Sequence, residues 1–451
     1  MHIVIVSSGQ IALQFAAELC GEHDVAVVHE GDEGRSTLEK LDVDLIDGAG
    51  NDPEVLTRAK TSKADYLIAC CRSDEMNIMA CVTARKLGKA RTVCFVSKEE
   101  YVRTFSAESG DGREGAPEFG IDHLVWPSQM LADKIEKILA VPGATDVGQF
   151  AHGQVSMLEY KLRPGVPIVD RPLAEIRSFP AGVLLAAVTR GDEWFVPRGH
   201  SILAEGDRVL FIGRTAAMRE LAAWFAKHLE EDSYGDIVVV GGGTVGYLLA
   251  SQLENTPSAR TKIIDIDSHR CRRIAQTLER TLVLVGDGSD IDLLESERVR
   301  EARALVAVTD SDEKNLLCSL LARQLGVPKV ITRVTTAANR RLFERVGIDV
   351  PISARGAATE AVLHMIRHGK LDLLASLGGG RGDMLEITLP NEFEPKPLKE
   401  IEMPPDSLVA TLLRKREVLV PGGATLLGPG DHCLVICNAE RVEEVRRTFG
   451  L

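Results

Sequence analysis

Apolar and polar positions along the first hundred residues follow two alternating rhythms. Short, wholly apolar runs read as buried strands, and stretches with apolar residues three and four apart read as amphipathic helices. The pattern predicts strands over 2–6, 25–29, 43–46, 66–70 and 91–96, separated by helices over 10–20, 35–40, 53–60 and 74–87. Such alternation needs right-handed crossovers, so it predicts an α/β fold with a doubly wound parallel sheet. Further on the rhythm changes. A strand over 154–162, a short helix near 172–178 and a hairpin of strands over 183–189 and 208–212 predict a small α+β unit of roughly 75 residues.

The pattern is then written a second time, and a repeat of this length fixes the architecture. "IVIVSSGQIALQFAAEL" near residue 3 matches "IVVVGGGTVGYLLASQL" near 237, with Gly9 on Gly243. "LIDGAGNDPEVL" matches "LVLVGDGSDIDLL", and "LIACCRSDEMNIMACVTARKLG" matches "LVAVTDSDEKNLLCSLLARQLG". In that last pair Cys71 and Arg72 fall on Thr309 and Asp310, and Asn77 falls on Asn315. "FVPRGHSILAEGDRVLFIG" matches "LVPGGATLLGPGDHCLVIC". The order is A-B-A′-B′: Rossmann-like domains over 1–125 and 235–352, and small α+β domains over 145–228 and 375–451. "ESGDGREGAPE" (108–118) reads as a loop, charged "KHLEEDSYGD" as the joint between modules, and "SLGGGRGD" as the entry to the last domain.

The second copy carries the clearer chemistry. "VVVGGGTVGYLLASQLE" (238–254) is an apolar strand, a glycine turn and a helix, and Gly241-Gly242-Gly243-Thr244-Val245-Gly246 supplies every glycine of the dinucleotide fingerprint. The first makes the turn, the second admits a pyrophosphate, and the third lets helix lie on strand. A pyrophosphate would sit at the helix N-terminus, where free amide hydrogens and the macrodipole favour anions. Asp265 ends the next strand, where a carboxylate accepts from ribose hydroxyls and disfavours a 2′-phosphate. This favours NAD or adenine nucleotides over NADP. Asp287 in "GDGSD" is a candidate adenine contact, Thr309 and Asp310 end another strand, and Arg333 closes "VITRV" as a phosphate clamp. Each has a structural alternative: glycines for packing, Asp287 as a helix cap, Arg333 as a solvated surface charge.

The first copy keeps the architecture and loses much of this. Ser7-Ser8-Gly9-Gln10-Ile11-Ala12 retains one glycine of three, His29 replaces the strand-end acid and Phe95 replaces Arg333. With Ser7, Ser8, Gly9, Gln10, Ile11, His29, Cys71 and Arg72 lining the equivalent edge, and Glu30 as another residue that could reach the ribose, it is expected to bind nucleotide more weakly. Neither copy presents the general acid or base that hydride transfer would require against a nicotinamide, and no catalytic residue is assigned.

Charge narrows the partners. Lys+Arg 53 against Asp+Glu 66 leaves −13, which repels nucleic acid and anionic lipid. A basic protein face fits better, such as the Lys/Arg-rich cytoplasmic side of a membrane protein. The start lacks a basic region before its apolar stretch and no long apolar run follows, so a cytoplasmic chain is expected. Nine cysteines without Cys-x-x-Cys spacing read as reduced, buried thiols. His364 and His368 in "HMIRH" stand one helical turn apart but have no evident third ligand, and no metal site is assigned.

Taken together, "GGGTVG", "IIDID", "GDGSD", "VTDSDEKN" and the paired Gly-Asp hairpins resemble the tandem regulator-of-potassium-conductance (RCK) domains of the peripheral subunits of bacterial Trk potassium uptake systems. The resemblance covers nearly the whole chain. It implies a homo-oligomeric ring, a tetramer, beneath a membrane-embedded potassium channel or transporter, changing shape as NAD(H) or ATP/ADP occupies the RCK sites. It carries nucleotide contacts to Gly241, Gly243, Thr244, Val245, Asp265, Thr309, Asp310 and Arg333, and fits poorly at Ser7, Ala12, His29 and Phe95. A regulator of another cation transporter or antiporter, and an NAD-dependent oxidoreductase, are the alternative readings.

Overall fold

The computed structural model describes residues 1–7, 9–21, 23–32, 34–106, 115–151, 153–176, 179–229, 235–256, 259–366, 371–378, 380–414 and 417–451. Most of the 108–118 loop and the centre of the 227–236 joint lie outside these, as does His368. The chain forms two compact units, Met1–Leu131 with Ser353–Ile366, and Ala132–Ile352 with Arg367–Leu451.

In the first unit β1 (His2–Val6), β2 (Asp24–His29), β3 (Asp44–Asp47), β4 (Tyr66–Ala69), β5 (Arg91–Phe95) and β6 (His123–Val125) form one parallel sheet in the order β3-β2-β1-β4-β5-β6. The crossovers run through α1 (Gln10–Leu19), α2 (Arg35–Leu38), α3 (Pro53–Arg58), α4 (Asp74–Leu87) and α5 (Glu99–Phe105). The central strands are apolar at nearly every position because both faces are covered. One face packs on α3 and α4 through Leu56, Ala80 and Ala84. The other packs on α1 and, unexpectedly, on a helix from the second module, Ala354–Ile366, whose Ala358, Val362, Leu363 and Ile366 join Phe15 and Leu19 in the core.

The second unit opens with most of α6 (Pro127–Ala140) and continues as β7 (Ala144–Phe150), β8 (Val155–Lys161), β9 (Val183–Arg190), β10 (Glu193–Phe195), β11 (Arg208–Arg214) and α7 (Thr215–Leu229). This small sheet is antiparallel, ordered β10-β9-β11-β8-β7. The expected helix at 172–178 is only a 3-10 turn over Leu173–Glu175, started by Pro172, with residues 177 and 178 outside the described set. The expected hairpin also needs correction. β9 turns tightly into β10, and β11 returns to pair along the other edge of β9. β10 is three residues long, too short for its alternation to be read in the sequence.

The second parallel sheet repeats the first: β12 (Gly235–Val240), α8 (Thr244–Glu254), β13 (Ala259–Asp265), α9 (Ser268–Thr277), β14 (Leu282–Val285), α10 (Ile291–Ser296), β15 (Ala304–Ala307), α11 (Asp312–Gln324), β16 (Lys329–Arg333), α12 (Ala337–Arg345) and β17 (Val350–Ile352). Its order, β14-β13-β12-β15-β16-β17, is the same. Then come α13 (Ala354–Ile366), already met in the first unit, and β18 (Leu371–Leu377), β19 (Gly382–Thr388), β20 (Lys396–Pro397), β21 (Ser407–Arg414), β22 (Glu417–Leu419), β23 (Leu426–Leu427), β24 (His432–Asn438) and α14 (Val442–Thr448). The sheet β18-β19-β24-β21-β22 copies the first small domain strand for strand. The two small domains share an apolar core in which Met157, Ala187 and Ile212 meet Met384, Ala410 and Ile436. Trp194 lies against Gly378 and Gly382, where any β-carbon would strike the indole. All nine cysteines are free thiols, and seven are buried.

Candidate functional site

In each parallel sheet the strand order reverses beside its central strand, and in open α/β sheets ligands bind outside the carboxyl ends of strands at such a point. In the second module this edge holds the glycine turn. Gly241 has φ +105, a conformation open to glycine, and its N–H donates to the Ile264 carbonyl at 2.9 Å. A β-carbon on Gly246 would sit 1.9 Å from the Gly241 carbonyl oxygen, so this glycine lets α8 lie against the turn. A β-carbon on Gly243 would meet nothing within 4 Å. The three fingerprint glycines thus have three different jobs: turn, open approach and close packing.

Helix α8 begins at Gly243 with no side-chain cap, whereas α9, α10, α11 and α12 are capped by Asp267, Asp290, Ser311 and Thr336. Its first-turn amide hydrogens, with Thr244 exposed and Val245 buried, remain available to an anion. Asp265, 6 % exposed, reaches under the turn. Its Oδ2 accepts from Gly242 N at 2.6 Å and from Arg270 Nη1 at 2.9 Å, and Oδ1 accepts from Asp267 N at 2.8 Å. The hydrogen bond to Asp265 raises the Arg270 pKa. Arg270 escaped the sequence reading, although it stands only five residues after the strand-end acid.

Across the switch point, Arg333 Nη1 donates to Asp310 Oδ1 at 2.9 Å and approaches the Thr309 carbonyl at 3.5 Å. Its side chain is 24 % exposed, so it is held against the strand end rather than waving in solvent. What fastens these ends together is Asn315, fully buried in α11. Its Oδ1 accepts from Thr309 N at 2.8 Å and Thr309 Oγ1 at 2.7 Å, and its Nδ2 donates to the carbonyls of Thr309 and Arg333 at 3.0 and 3.1 Å. Asn77 does the same in the first module, donating to the Cys71 and Phe95 carbonyls at 3.1 and 2.9 Å. Its recurrence in both copies was the available signal. Asp287 stands apart from this group. It accepts from Ser289 N and Oγ at 3.0 and 2.7 Å and faces Lys314 at 3.7 Å, while Asp290 caps α10. The Ser289 N–H holds the Asp287 carboxyl below its usual range.

The first module has the same frame with different groups. Ser7, 2 % exposed, donates to the Cys70 carbonyl at 3.2 Å. Gly9 starts α1 with no side-chain cap and open space at its β-carbon position. Ile11 is half-buried, Cys71 Sγ donates to the Val6 carbonyl at 3.6 Å, and Arg72 is exposed. Ser8 and the Gln10 side chain lie outside the described residues. Phe95 is buried where the second module has Arg333.

Two parallel switch-point sheets, each followed by the same antiparallel unit, define a tandem RCK-type chain. Comparison with known proteins gives this class its family. The TrkA-N domain model matches residues 3–111 and 237–354, and the TrkA-C domain model matches 157–226 and 384–450. The chain belongs to the TrkA family. It is 32% identical to Trk system potassium uptake protein TrkA homolog 1 of Methanosarcina mazei over 100% of both chains. It is 31% identical to Trk system potassium uptake protein TrkA of Halomonas elongata, over 100% of this chain and 98% of that one. Among solved structures it is similar to the GsuK RCK domain, with TM-score 0.59 at 19% identity over 99% of this chain and 94% of that. It is also similar to the GsuK channel bound to NAD, with TM-score 0.58 at 17% identity over 99% and 78%.

Proposed function

We propose that the chain is a cytoplasmic nucleotide-sensing subunit that gates a membrane potassium channel or transporter as NAD(H) or ATP/ADP occupies the second module. The observation that carries this is the convergence on one sheet edge of an uncapped helix N-terminus, an open glycine, Asp265 and Arg333. The relatives' names, all Trk potassium uptake proteins, and the NAD-bound GsuK channel support it. The helix amides and Arg333 suit phosphates, and Asp265 suits a ribose diol. Among the described residues no helix is long and apolar enough to cross a membrane. The nucleotide is sensed rather than consumed, a reading supported by edge carboxylates that are already engaged: Asp265, Asp287 and Asp312 accept from backbone N–H groups, and Asp310 is paired with Arg333.

A ligand shifts a conformational equilibrium only by its differential affinity for the two states, and allosteric coupling of about 1–3 kcal/mol gives roughly 5- to 150-fold. Arg333, poised beside Asp310, is the residue expected to count phosphates. Arg333→Ala should blunt the difference between ATP and ADP in potassium flux through the reconstituted partner while leaving the subunits assembled. Undiminished discrimination would remove that role from Arg333. Flux indifferent to every nucleotide in the unmodified protein would overturn the sensor itself.

A further inference from the structure

The two small domains meet through equivalent positions. Met157 pairs with Ile212 in the first sheet as Met384 pairs with Ile436 in the second, and all four side chains lie in the shared core. Surfaces that meet in this way, as around a two-fold axis, are close to self-complementary. A domain built so would pair as well with its own kind in a neighbouring chain as with its sister. One side of the joint breaks that equivalence.

Trp194, 6 % exposed, stands on β10 where β22 has Val418. Its indole fills the space beside Gly378 and Gly382 of the second domain. A β-carbon on Gly378 would come within 2.7 Å of Cδ1, and one on Gly382 would strike Cε2 and Cζ2 more closely still. The strand registers put Ala151 and Val155 at these two places in the first domain. Ala151 has φ +50 against +57 at Gly378, and Val155 and Gly382 each open a strand, so the backbone accepts a side chain at both positions. The glycines are there for the indole. Across the joint Val418 and Val155 are both buried in the same core, with no glycine between the two domains. Two polar contacts reinforce the Trp194 side. Val196 N donates to Asp406 Oδ1 at 3.3 Å, and the first domain has Gly182, which carries no acceptor, in the place of Asp406. Arg381 donates to the Gly191 carbonyl at 2.9 Å and to Asp192 at 2.8 Å, and the first domain has Gln154 in the place of Arg381.

We propose that Trp194 and the groove at Gly378 and Gly382 form a key that makes the first small domain pair with the second and not with another copy of itself. Two first domains would drive each indole onto the β-carbons of Ala151 and Val155, for which a close-packed core has no room. Two second domains would set Val418 over the empty groove and leave a void on both sides of the axis. Specificity is a difference of affinities, and here both wrong pairs are penalised while the right one is filled. A duplicated chain is thereby kept from linking to its neighbours through like domains.

The test uses the full chain. Trp194→Val and Gly382→Val should each lower Tm by at least about 3 °C, the first by leaving a void and the second by striking the indole. The double variant sets valine against valine, as the other side of the joint already does, and should recover most of the loss. Pairing is read with Gln154→Lys and a carbodiimide, which couples an amine to a carboxylate in contact with it. Gln154 and Asp192 are exposed and lie beyond opposite ends of β9, eight residues or roughly 25 Å apart, so a bond between positions 154 and 192 joins two chains. With the key intact, mass spectrometry should find no peptide joining 154 to 192. Arg381→Lys in the same protein should couple to Asp192 and mark the unlike pair. In the Trp194→Val/Gly382→Val background, where like and unlike pairs fit equally, the bond between 154 and 192 should appear. Additive Tm losses in the double variant would overturn the proposal. So would a bond between 154 and 192 with the key intact, or its absence from the double variant. No nucleotide enters these readouts, so they stand apart from the sensor reading of the second module.

Discussion

Two missing β-carbons do different work at this site. Gly243 and Gly246 stand three residues apart, and their substitutions should fail differently. Gly243→Val should leave folding intact and abolish nucleotide binding at the site proposed in the second module, because its side chain enters space empty of protein. The same change at Gly9 should cost less total affinity, and calorimetric titration of both variants with NAD separates the two. Gly246→Ala should instead destabilise the chain, by about 1–3 kcal/mol, since its β-carbon meets the Gly241 carbonyl at 1.9 Å and helix and turn must part. Its signature is a lowered Tm with or without nucleotide. A Gly246→Ala protein of unchanged Tm would show that the turn is looser than described.

At the scale of elements, the candidate site is a set of strand ends, and what holds strand ends in register decides its precision. Asn315 does this from α11 for β15 and β16, using both ends of its amide. Asn315→Ala would leave the Thr309 N–H and the Arg333 carbonyl without partners, at about 1–3 kcal/mol for each buried group. The expected result is a lower Tm together with weaker nucleotide binding, and Asn315→Asp, which keeps only the acceptor, should fall between. The other end of β16 carries a second fastening. Lys329, 5 % exposed, donates to the carbonyls of Ile138 and Val141 at 3.1 and 2.8 Å. A cation at a helix C-terminus satisfies carbonyls that the helix cannot. Arg163 Nη2 adds a bond to the Pro328 carbonyl at 2.7 Å, and Arg208 Nη2 one to Asp349 at 3.0 Å. Thus β16 bears Arg333 at one end and is gripped by α6 and the first small domain at the other. Lys329→Met should speed hydrogen exchange at the C-terminal turn of α6 more than at β1, and equal protection in both proteins would argue against the grip.

The whole molecule is expected to assemble as a soluble ring, and sedimentation at micromolar concentration should show an oligomer, a tetramer by the family resemblance. A monomer alone would count against the ring. Within the second unit, each small domain carries an arginine–aspartate fork in which a partly exposed arginine holds a buried carboxylate, Arg190 with Asp207 and Arg414 with Asp431. Burial by itself would raise the Asp431 pKa, but the Arg414 guanidinium and the Gly428 N–H outweigh it, and the carboxyl is held below its usual value. A depressed folded pKa stabilises above the unfolded value of about 3.9, and the contribution fades as pH falls through the folded one. Arg414→Met should therefore lower Tm at pH 7, and the gap from the unmodified chain should narrow below about pH 4. A gap constant down to pH 3 would mean that the fork is not what the arginine contributes.

Local spacing was enough to read the parallel sheets, the duplication, the glycine turn and the strand-end residues Asp265 and Arg333, because strands buried on both faces and turns that require glycine leave their cause in adjacent residues. The sequence also showed that His29 and Phe95 break the pattern of the second copy. What it could not show depends on residues far apart in the chain. The exchange by which α13 completes the core beneath β1, the grip of Lys329 on α6, and the apolar core shared by the two small domains come from surfaces that match only once folded. The same holds at the site. "IIDID" places a carboxylate at a strand end, but only the tertiary structure puts that carboxylate on Gly242 N and Arg270, and leaves one imidazole nitrogen of His29 without a donor. Periodicity records which face of an element is buried, whereas the partner that buries it is chosen by shape and by hydrogen bonds that have no local signature.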